Sequence, residues 1–263
     1  RTRGGRDFGR SSLSGSLRNR RVLVTRPSGQ ARGLIDGLTA EGATVLHRPA
    51  LSIQSLAVSP QALQQPIDWL VFASPNAVRH GLALLRAAAC SPRHCAAVGP
   101  GTARAAIQAG LSVDVAPSKR GGADDLLAQP GFKPQPGECV VIMAGRGGRR
   151  RLQNTLTERG IKVVDIAVYA RLPAADCLDI PPEWRSQRLD ASVVTSVDGL
   201  HALINMADAE ALAWLHKSRL VTVSQRVADA AAEGGFTNPA VAAGASDQAL
   251  VQAVENALES ITI

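Results

Sequence analysis

The sequence predicts an α/β protein with two similar lobes, each a largely parallel sheet flanked by helices, with a cleft between them. Short apolar runs alternate with segments of helical spacing along the chain, which is typical of βαβ units. Each pattern occurs twice. The length of 263 residues suits two lobes, since domains commonly hold about 100–150 residues.

The first repeated unit is a strand, a helix and a second strand. Residues 21–51, RVLVTRPSGQARGLIDGLTAEGATVLHRPAL, contain an apolar run, a Pro- and Gly-containing turn, leucines at helical spacing and a second apolar run after Gly42. Residues 139–169, CVVIMAGRGGRRRLQNTLTERGIKVVDIAVY, repeat this order and place Gly160 at the position of Gly42.

The second repeated unit is a buried strand, a turn that begins with Ser, and a helix. DWLVFASPNAVRHGLALL begins at Asp68 and DASVVTSVDGLHALI begins at Asp190, so that Ser74 matches Ser196. A further strand, turn and helix follows each copy, as CAAVGPGTARAAIQAG and LVTVSQRVADAAAEGG. The repeated segments are, in chain order, A1 (21–51), B1 (67–129), A2 (138–172) and B2 (189–260).

The pattern leaves the pairing of these segments open, because A1 can share a sheet with either B1 or B2. Two Pro-containing stretches, 49–66 and 173–182, are candidates for the chain crossings between lobes. Residues 1–20 are rich in Arg, Ser and Gly and have little to bury, so we expect a disordered leader there. Its composition fits a targeting remnant or an added sequence.

The net charge of +7 does not indicate a nucleic-acid partner. Seven of the 29 Lys and Arg residues, but one of the 22 Asp and Glu residues, lie within residues 1–21, so the remainder is almost neutral. A nucleic-acid-binding surface places its basic side chains on the folded part. We therefore expect no nucleic acid to bind.

Membrane and metal partners are not expected either. No apolar run approaches the ~20 residues of a membrane span. The four cysteines form no C-x-x-C pair, and the cluster of Cys90, His94 and Cys95 lacks a second ligand pair at a zinc spacing. We expect no metal, and reduced thiols in a cytoplasmic protein.

The segment VGPGTARAAIQAG, residues 98–110, has the local shape of a dinucleotide-binding turn but lacks its context. Arg104 occupies the third glycine position, and the nearest acidic residue, Asp114, comes too early. The matching turn at Ser224 has no glycine. Both copies instead keep a small or polar turn at a helix N-terminus, where unpaired N–H groups bind anions.

Six segments together resemble the uroporphyrinogen-III synthase family, and they cover nearly the whole chain from Arg21 onward. They are VLVTRP (22–27), DWLVFASPNAV (68–78), VGPGTA (98–103), GRGGRRRLQNTLTERGIKVVDIAVYAR (145–171), TSVDGL (195–200) and ASDQAL (245–250).

The resemblance implies two α/β lobes joined by a two-stranded ladder, with A1 in the same lobe as B2. Lobe 1 would be residues 21–50 plus 173–263, and lobe 2 would be residues 51–172. The implied substrate is hydroxymethylbilane, a linear tetrapyrrole polycarboxylate that loses water and closes to uroporphyrinogen III with its last ring inverted. The resemblance also implies that the reaction uses no cofactor or metal and that the protein is a monomer.

The resemblance also implies site residues. Tyr169, the only tyrosine, matches a tyrosine considered important in the family, and we expect it at the end of the A2 strand. A phenol is protonated at neutral pH and can donate a hydrogen bond to the departing hydroxyl. The expected substrate-binding residues carry hydroxyl or guanidinium groups in the turns: Arg26, Ser74, Thr102, Arg146, Arg149, Ser196 and Ser224.

Simpler interpretations stand beside these assignments. Ser74 and Ser196 fit ordinary helix N-caps, and the five histidines share no spacing and fit surface or packing positions. Arg146 and Arg149 are preferred among the neighbouring arginines because they come earliest in the A2 turn and helix. The alternative functions are a non-catalytic two-lobed binder of an anionic small molecule and, less favoured, a nucleotide-dependent oxidoreductase.

Overall fold

The structure is a computed structural model that describes residues 15–119 and 121–259. Its strands are, in chain order, β1 (Arg21–Val24), β2 (Thr44–His47), β3 (Leu51–Ser55), β4 (Trp69–Phe72), β5 (His94–Ala97), β6 (Cys139–Gly145), β7 (Lys162–Pro173), β8 (Ala191–Val194), β9 (Arg219–Thr222) and β10 (Ala240–Val241).

Helices connect most of these strands, and a short 3₁₀ turn covers Pro60–Leu63. The helices are α1 (Ser28–Ala40), α2 (Pro75–Ala87), α3 (Pro100–Gln108), α4 (Ala123–Leu127), α5 (Arg151–Glu158), α6 (Pro182–Arg185), α7 (Val197–Met206), α8 (Ala209–His216), α9 (Gln225–Glu233) and α10 (Asp247–Glu259). Within the residues described, no helix is both long and apolar enough to cross a membrane.

The chain forms two compact units. Unit 1 holds the residues up to Ser52 and those from Pro173 onward, and unit 2 holds Ile53–Leu172. The sheet of unit 1 has the order β10-β9-β8-β1-β2, and its neighbouring strands are parallel. Both faces of this sheet are buried, because Leu23 packs in one apolar cluster and its neighbours Val22 and Val24 pack in the other.

Unit 2 contains a second sheet, with the order β3-β7-β6-β4-β5. The pairs β7–β6, β6–β4 and β4–β5 are parallel, and apolar clusters cover both faces here as well. Helices flank both sheets, so the predicted α/β class with two parallel sheets is confirmed.

The sheet orders place A1 with B2 and A2 with B1, as the family resemblance implies. Equivalent aspartates support each contact: Asp190 Oδ2 accepts a hydrogen bond from the Arg21 N–H at 2.9 Å, and Asp68 Oδ2 accepts one from the Cys139 N–H at 2.9 Å. In both copies an aspartate carboxylate therefore accepts a hydrogen bond from the first N–H group of the neighbouring strand.

The last residues of the expected leader are packed on unit 1. Leu17 is fully buried among the side chains beneath the sheet, and its N–H donates to the Glu41 carbonyl oxygen at 3.0 Å. Residues 15–20 therefore differ from the expected disordered leader, because an apolar side chain in this segment finds a buried site. Residues 1–14 of that prediction lie outside the described residues.

Candidate functional site around Tyr169

Tyr169 lies inside strand β7, four residues before the strand ends at Pro173, and not at the strand end that we expected. Its side chain is 1% exposed. The hydroxyl group is paired rather than solvated: it lies 3.1 Å from Ser74 Oγ and accepts a hydrogen bond from Nη2 of Arg171 at 3.1 Å. Tyr169 therefore presents a buried phenol with two polar partners.

Gly145, at the end of the neighbouring strand β6, makes room for the Tyr169 ring. A Cβ atom at Gly145 would lie 2.6 Å from Cζ and 2.9 Å from the hydroxyl oxygen of Tyr169. A register shift between Ala144 and Gly145 sets the two residues opposite each other, and the N–H of Arg146 then donates to the Tyr169 carbonyl oxygen at 2.8 Å. The backbone of the A2 turn thus holds Tyr169 in place.

Ser74 follows strand β4 and begins helix α2. Its Oγ accepts a hydrogen bond from the Ala77 N–H at 3.1 Å, which is the geometry of a helix N-cap. The same oxygen faces the Tyr169 hydroxyl, so Ser74 combines the simple capping role with a contact to the candidate catalytic residue.

Two residues near Tyr169 were not singled out by the sequence. The Arg171 guanidinium lies over the Tyr169 ring, 5.5 Å from its centroid, and the His80 ring lies 5.7 Å from the same ring. His80 Nδ1 is 2.7 Å from Ser55 Oγ. Burial, with a smaller contribution from the nearby Arg79, lowers the pKa of His80. The two-residue spacing of Tyr169 and Arg171 on one strand is a signal that sequence reasoning had available.

Three more of the predicted residues lie at the same sheet edge as Ser74. Thr102 follows β5, and Arg146 and Arg149 follow β6. Thr102 is 4% exposed in the first turn of α3. The two arginine side chains are exposed, and α5 begins only at Arg151, so Arg149 belongs to the loop and not to the helix as we expected. Gly147, with φ of +73°, holds this loop outside helical geometry.

The VGPG turn has a packing reason for its first glycine. A Cβ atom at Gly99 would lie 2.9 Å from the Cα atom of Gly121, so two backbone segments meet at this point. Close packing of the chain against itself therefore accounts for Gly99 without a nucleotide.

In unit 1, Arg26 is held by the segment that precedes and begins helix α10. Its guanidinium forms an ion pair with Asp247 and donates a hydrogen bond to the Ala245 carbonyl oxygen at 2.7 Å. Only 12% of its side chain is exposed. The ASDQAL segment thus fixes Arg26 at the carboxyl edge of the sheet, and a substrate carboxylate would have to share this arginine with Asp247.

Ser196 and Ser224 begin helices α7 and α9 at the same edge of the sheet of unit 1. Ser196 Oγ accepts a hydrogen bond from the Gly199 N–H at 3.0 Å and therefore matches Ser74 as a helix cap. Ser224 makes no side-chain cap, and its helix contains Val227, 1% exposed, at the position equivalent to Thr102.

Among the residues described, no three His, Cys, Asp or Glu side chains are grouped in a way that could hold a metal ion. The predicted site residues fall into two sets. The structure brings Ser74, Tyr169 and the Arg146 backbone into contact in unit 2, and it places Arg26, Ser196 and Ser224 at one sheet edge in unit 1.

Comparisons with known proteins show to which family this chain belongs. The family model described as uroporphyrinogen-III synthase HemD matches residues 12–252. A relative named uroporphyrinogen-III synthase from Salmonella typhimurium is 31% identical over 248 residues, which are 89% of this chain and 99% of the relative. The enzyme of that name from Escherichia coli K12 is 29% identical over 244 residues, with the same coverage.

The fold is also similar to a solved structure. A mutant uroporphyrinogen III synthase from the extremely thermophilic bacterium Thermus thermophilus superposes with a TM-score of 0.61 at 21% identity, over 92% of this chain and 99% of that chain. The match of the family model over most of the chain is the decisive observation. The chain belongs to the uroporphyrinogen-III synthase family.

Proposed function

We propose that this chain carries out the reaction of its family, the dehydrating cyclisation of hydroxymethylbilane to uroporphyrinogen III in haem biosynthesis, with Tyr169 as the catalytic residue. The activity is supported by the match of the family model to residues 12–252, and the role of Tyr169 by its hydroxyl pair with Ser74, 3.1 Å apart, at the carboxyl edge of the unit 2 sheet. Ligands of parallel α/β sheets bind at this edge.

The role of Tyr169 follows from the chemistry of the first step. An electron-rich pyrrole expels its own hydroxymethyl oxygen, and the departing oxygen needs a proton to leave as water. The phenol donates a hydrogen bond to this oxygen and supplies the proton, which leaves a phenolate, and the carbon of the last ring releases a proton that restores the phenol when the macrocycle closes. The pyrrole nitrogen provides the electrons, so the proposed reaction uses no cofactor or metal.

The burial of Tyr169 suits this role. With 1% of the residue exposed, little bulk water competes for the hydroxyl, and the reactive cation formed after water loss is protected from hydrolysis. The substrate must displace a covering group to reach the phenol oxygen. The Ser74 hydroxyl, 3.1 Å from the phenol oxygen, is such a group.

Positioning of the substrate is the remaining task. We assign it to the turns at the carboxyl edge of the sheet in each unit. Helix N-termini offer N–H groups and partial positive charge to carboxylates. In unit 2 these turns carry Ser74, Thr102, Arg146 and Arg149. In unit 1 they carry Ser196, Ser224 and Arg26, with Arg26 exchanging part of its contact with Asp247 for a substrate carboxylate.

The setting of the enzyme is also part of this proposal. We assign it to the cytoplasm, acting as a monomer on its small-molecule substrate.

Incubation with freshly prepared hydroxymethylbilane, followed by oxidation and separation of the porphyrin isomers, tests the activity. We expect isomer III. Isomer I alone, the product of spontaneous closure, would favour the alternative of an anion-binding protein without catalysis. A titration with NAD(P)H tests the oxidoreductase alternative, which requires saturable binding.

A further inference from the structure

Arg171 lies on the same face of β7 as Tyr169, because side chains two residues apart on a strand point to the same side. Its Nη2 donates a hydrogen bond to the Tyr169 hydroxyl oxygen at 3.1 Å, and its guanidinium carbon lies 5.5 Å from the centre of the Tyr169 ring. A cation thus approaches the phenol at its oxygen and over its ring.

The hydrogen-bond donors and acceptors around the Tyr169 hydroxyl restrict the direction in which its proton can point. A guanidinium group has five N–H donors and no acceptor, so the Tyr169 proton cannot be directed at Arg171. Ser74 Oγ already accepts the N–H of Ala77 and is the other neighbour of the hydroxyl. The proton therefore points to Ser74 or to a ligand oxygen that replaces this contact.

We infer that Arg171 is a positioning residue, which turns the Tyr169 proton towards the departing oxygen and polarises the phenol O–H bond. This inference rests on the proposed function of Tyr169. Hydrogen bonds from a charged donor are stronger than neutral ones, and successive bonds in a low-dielectric site strengthen one another. Arg171 acts through the Tyr169 hydroxyl, and this distinguishes it from an arginine that binds a substrate carboxylate.

A double-mutant cycle separates these two roles. Arg171→Met should lower kcat by about tenfold with KM changed less than about twofold, and Arg171→Lys, which keeps a cationic donor, should recover most of the loss. In a Tyr169→Phe background, Arg171→Met should change the rate of isomer III formation by less than about twofold, because the hydroxyl it acts through is gone. Arg159→Met, an exposed arginine of the same unit, controls for the lost charge.

The contradicting results are distinct. Losses that multiply in the double variant, or a raised KM with unchanged kcat, would show that Arg171 binds substrate directly and would overturn this inference alone. Normal formation of isomer III by Tyr169→Phe would leave the activity in place but remove the catalytic role of Tyr169 and this inference together, whereas isomer I alone from the wild type would remove the proposed function itself.

A spectroscopic readout of the conservative variant Arg171→Lys keeps the inference testable if Arg171→Met folds poorly. The chain has one tyrosine, so 3-fluorotyrosine labelling gives a single fluorine NMR resonance from Tyr169. We expect this resonance to move in Arg171→Met and in Arg171→Lys but to stay in place in Arg159→Met. An unmoved resonance in both Arg171 variants would contradict the hydrogen bond on which the inference depends.

Discussion

The ring of Tyr169 lies directly against the backbone of Gly145 on the adjacent strand, with no space for a side chain between them. A Cβ atom added at Gly145 would come 2.6 Å from Cζ of the ring. The ring is rigid, so this contact cannot be relieved by rotating the flexible end of a side chain. The position of the proposed catalytic hydroxyl therefore depends on having glycine, which has no side chain, at position 145 of the adjacent strand.

Gly145→Ala should displace the Tyr169 ring and reduce turnover by at least about tenfold, because an error of about 1 Å in a catalytic group can cost about 100-fold. The overlap should also reduce the free energy of unfolding by about 1–3 kcal/mol. Gly244→Ala is the matched control, since nothing lies within 4 Å of a Cβ atom there. Steady-state assays and urea denaturation measure both effects, and equal activity of the two variants would show that Tyr169 tolerates the shift.

Ser74→Ala should be more destabilising than Ser196→Ala, although the two serines occupy equivalent positions of the repeat. Both variants lose a helix cap, at a cost of about 1 kcal/mol. Ser74→Ala also removes a partner of the buried Tyr169 hydroxyl, which adds about 0.5–1.5 kcal/mol. Chemical denaturation of the two variants measures the difference, and equal losses would show that the contact of Ser74 with Tyr169 contributes no stability.

The repeat was the most informative feature of the sequence, because each copy supports the interpretation of the other. The repeat aligned Asp68 with Asp190 and Ser74 with Ser196, and in the structure the members of each pair make the same local contacts. The pattern alone could not pair A1 with B2, since strand pairing is a long-range relationship that periodicity does not encode. The family resemblance supplied that pairing.

The surroundings of Tyr169 were less accessible from sequence. The contacts of Arg171, His80 and Gly145 with Tyr169 depend on strand register, and the shift at Gly145 has no signature in the residue pattern. Likewise, the ion pair of Arg26 with Asp247 joins residues far apart in the chain. Such contacts follow from the folded sheet and not from local propensity.

Cys95 should make the stability of the protein depend on pH in the alkaline range. Burial, followed by the charge of Asp114, raises the pKa of Cys95 from 9.0 to about 12. The folded thiol therefore keeps its proton while the unfolded thiol loses it, so the stability contribution is complete below pH 9 and is lost as the pH rises towards 12.

Urea unfolding of the wild type and of Cys95→Ala at several pH values from about 8 to 10.5 measures this contribution, since that window brackets the ordinary thiol range. As the pH rises, the free energy of unfolding should fall more for the wild type than for Cys95→Ala. A difference that stays constant over this window would mean that the folded state does not hold the Cys95 proton more tightly.

The activity of Tyr169→Phe, measured with hydroxymethylbilane and resolved by porphyrin isomer, tests the central claim most directly. The substitution removes one oxygen atom and keeps the buried ring, so the fold should persist. We predict that formation of isomer III falls by about 100-fold or more, the range of a lost general acid, while circular dichroism remains that of the wild type. Formation of isomer III at a nearly normal rate in a folded Tyr169→Phe variant would contradict the account.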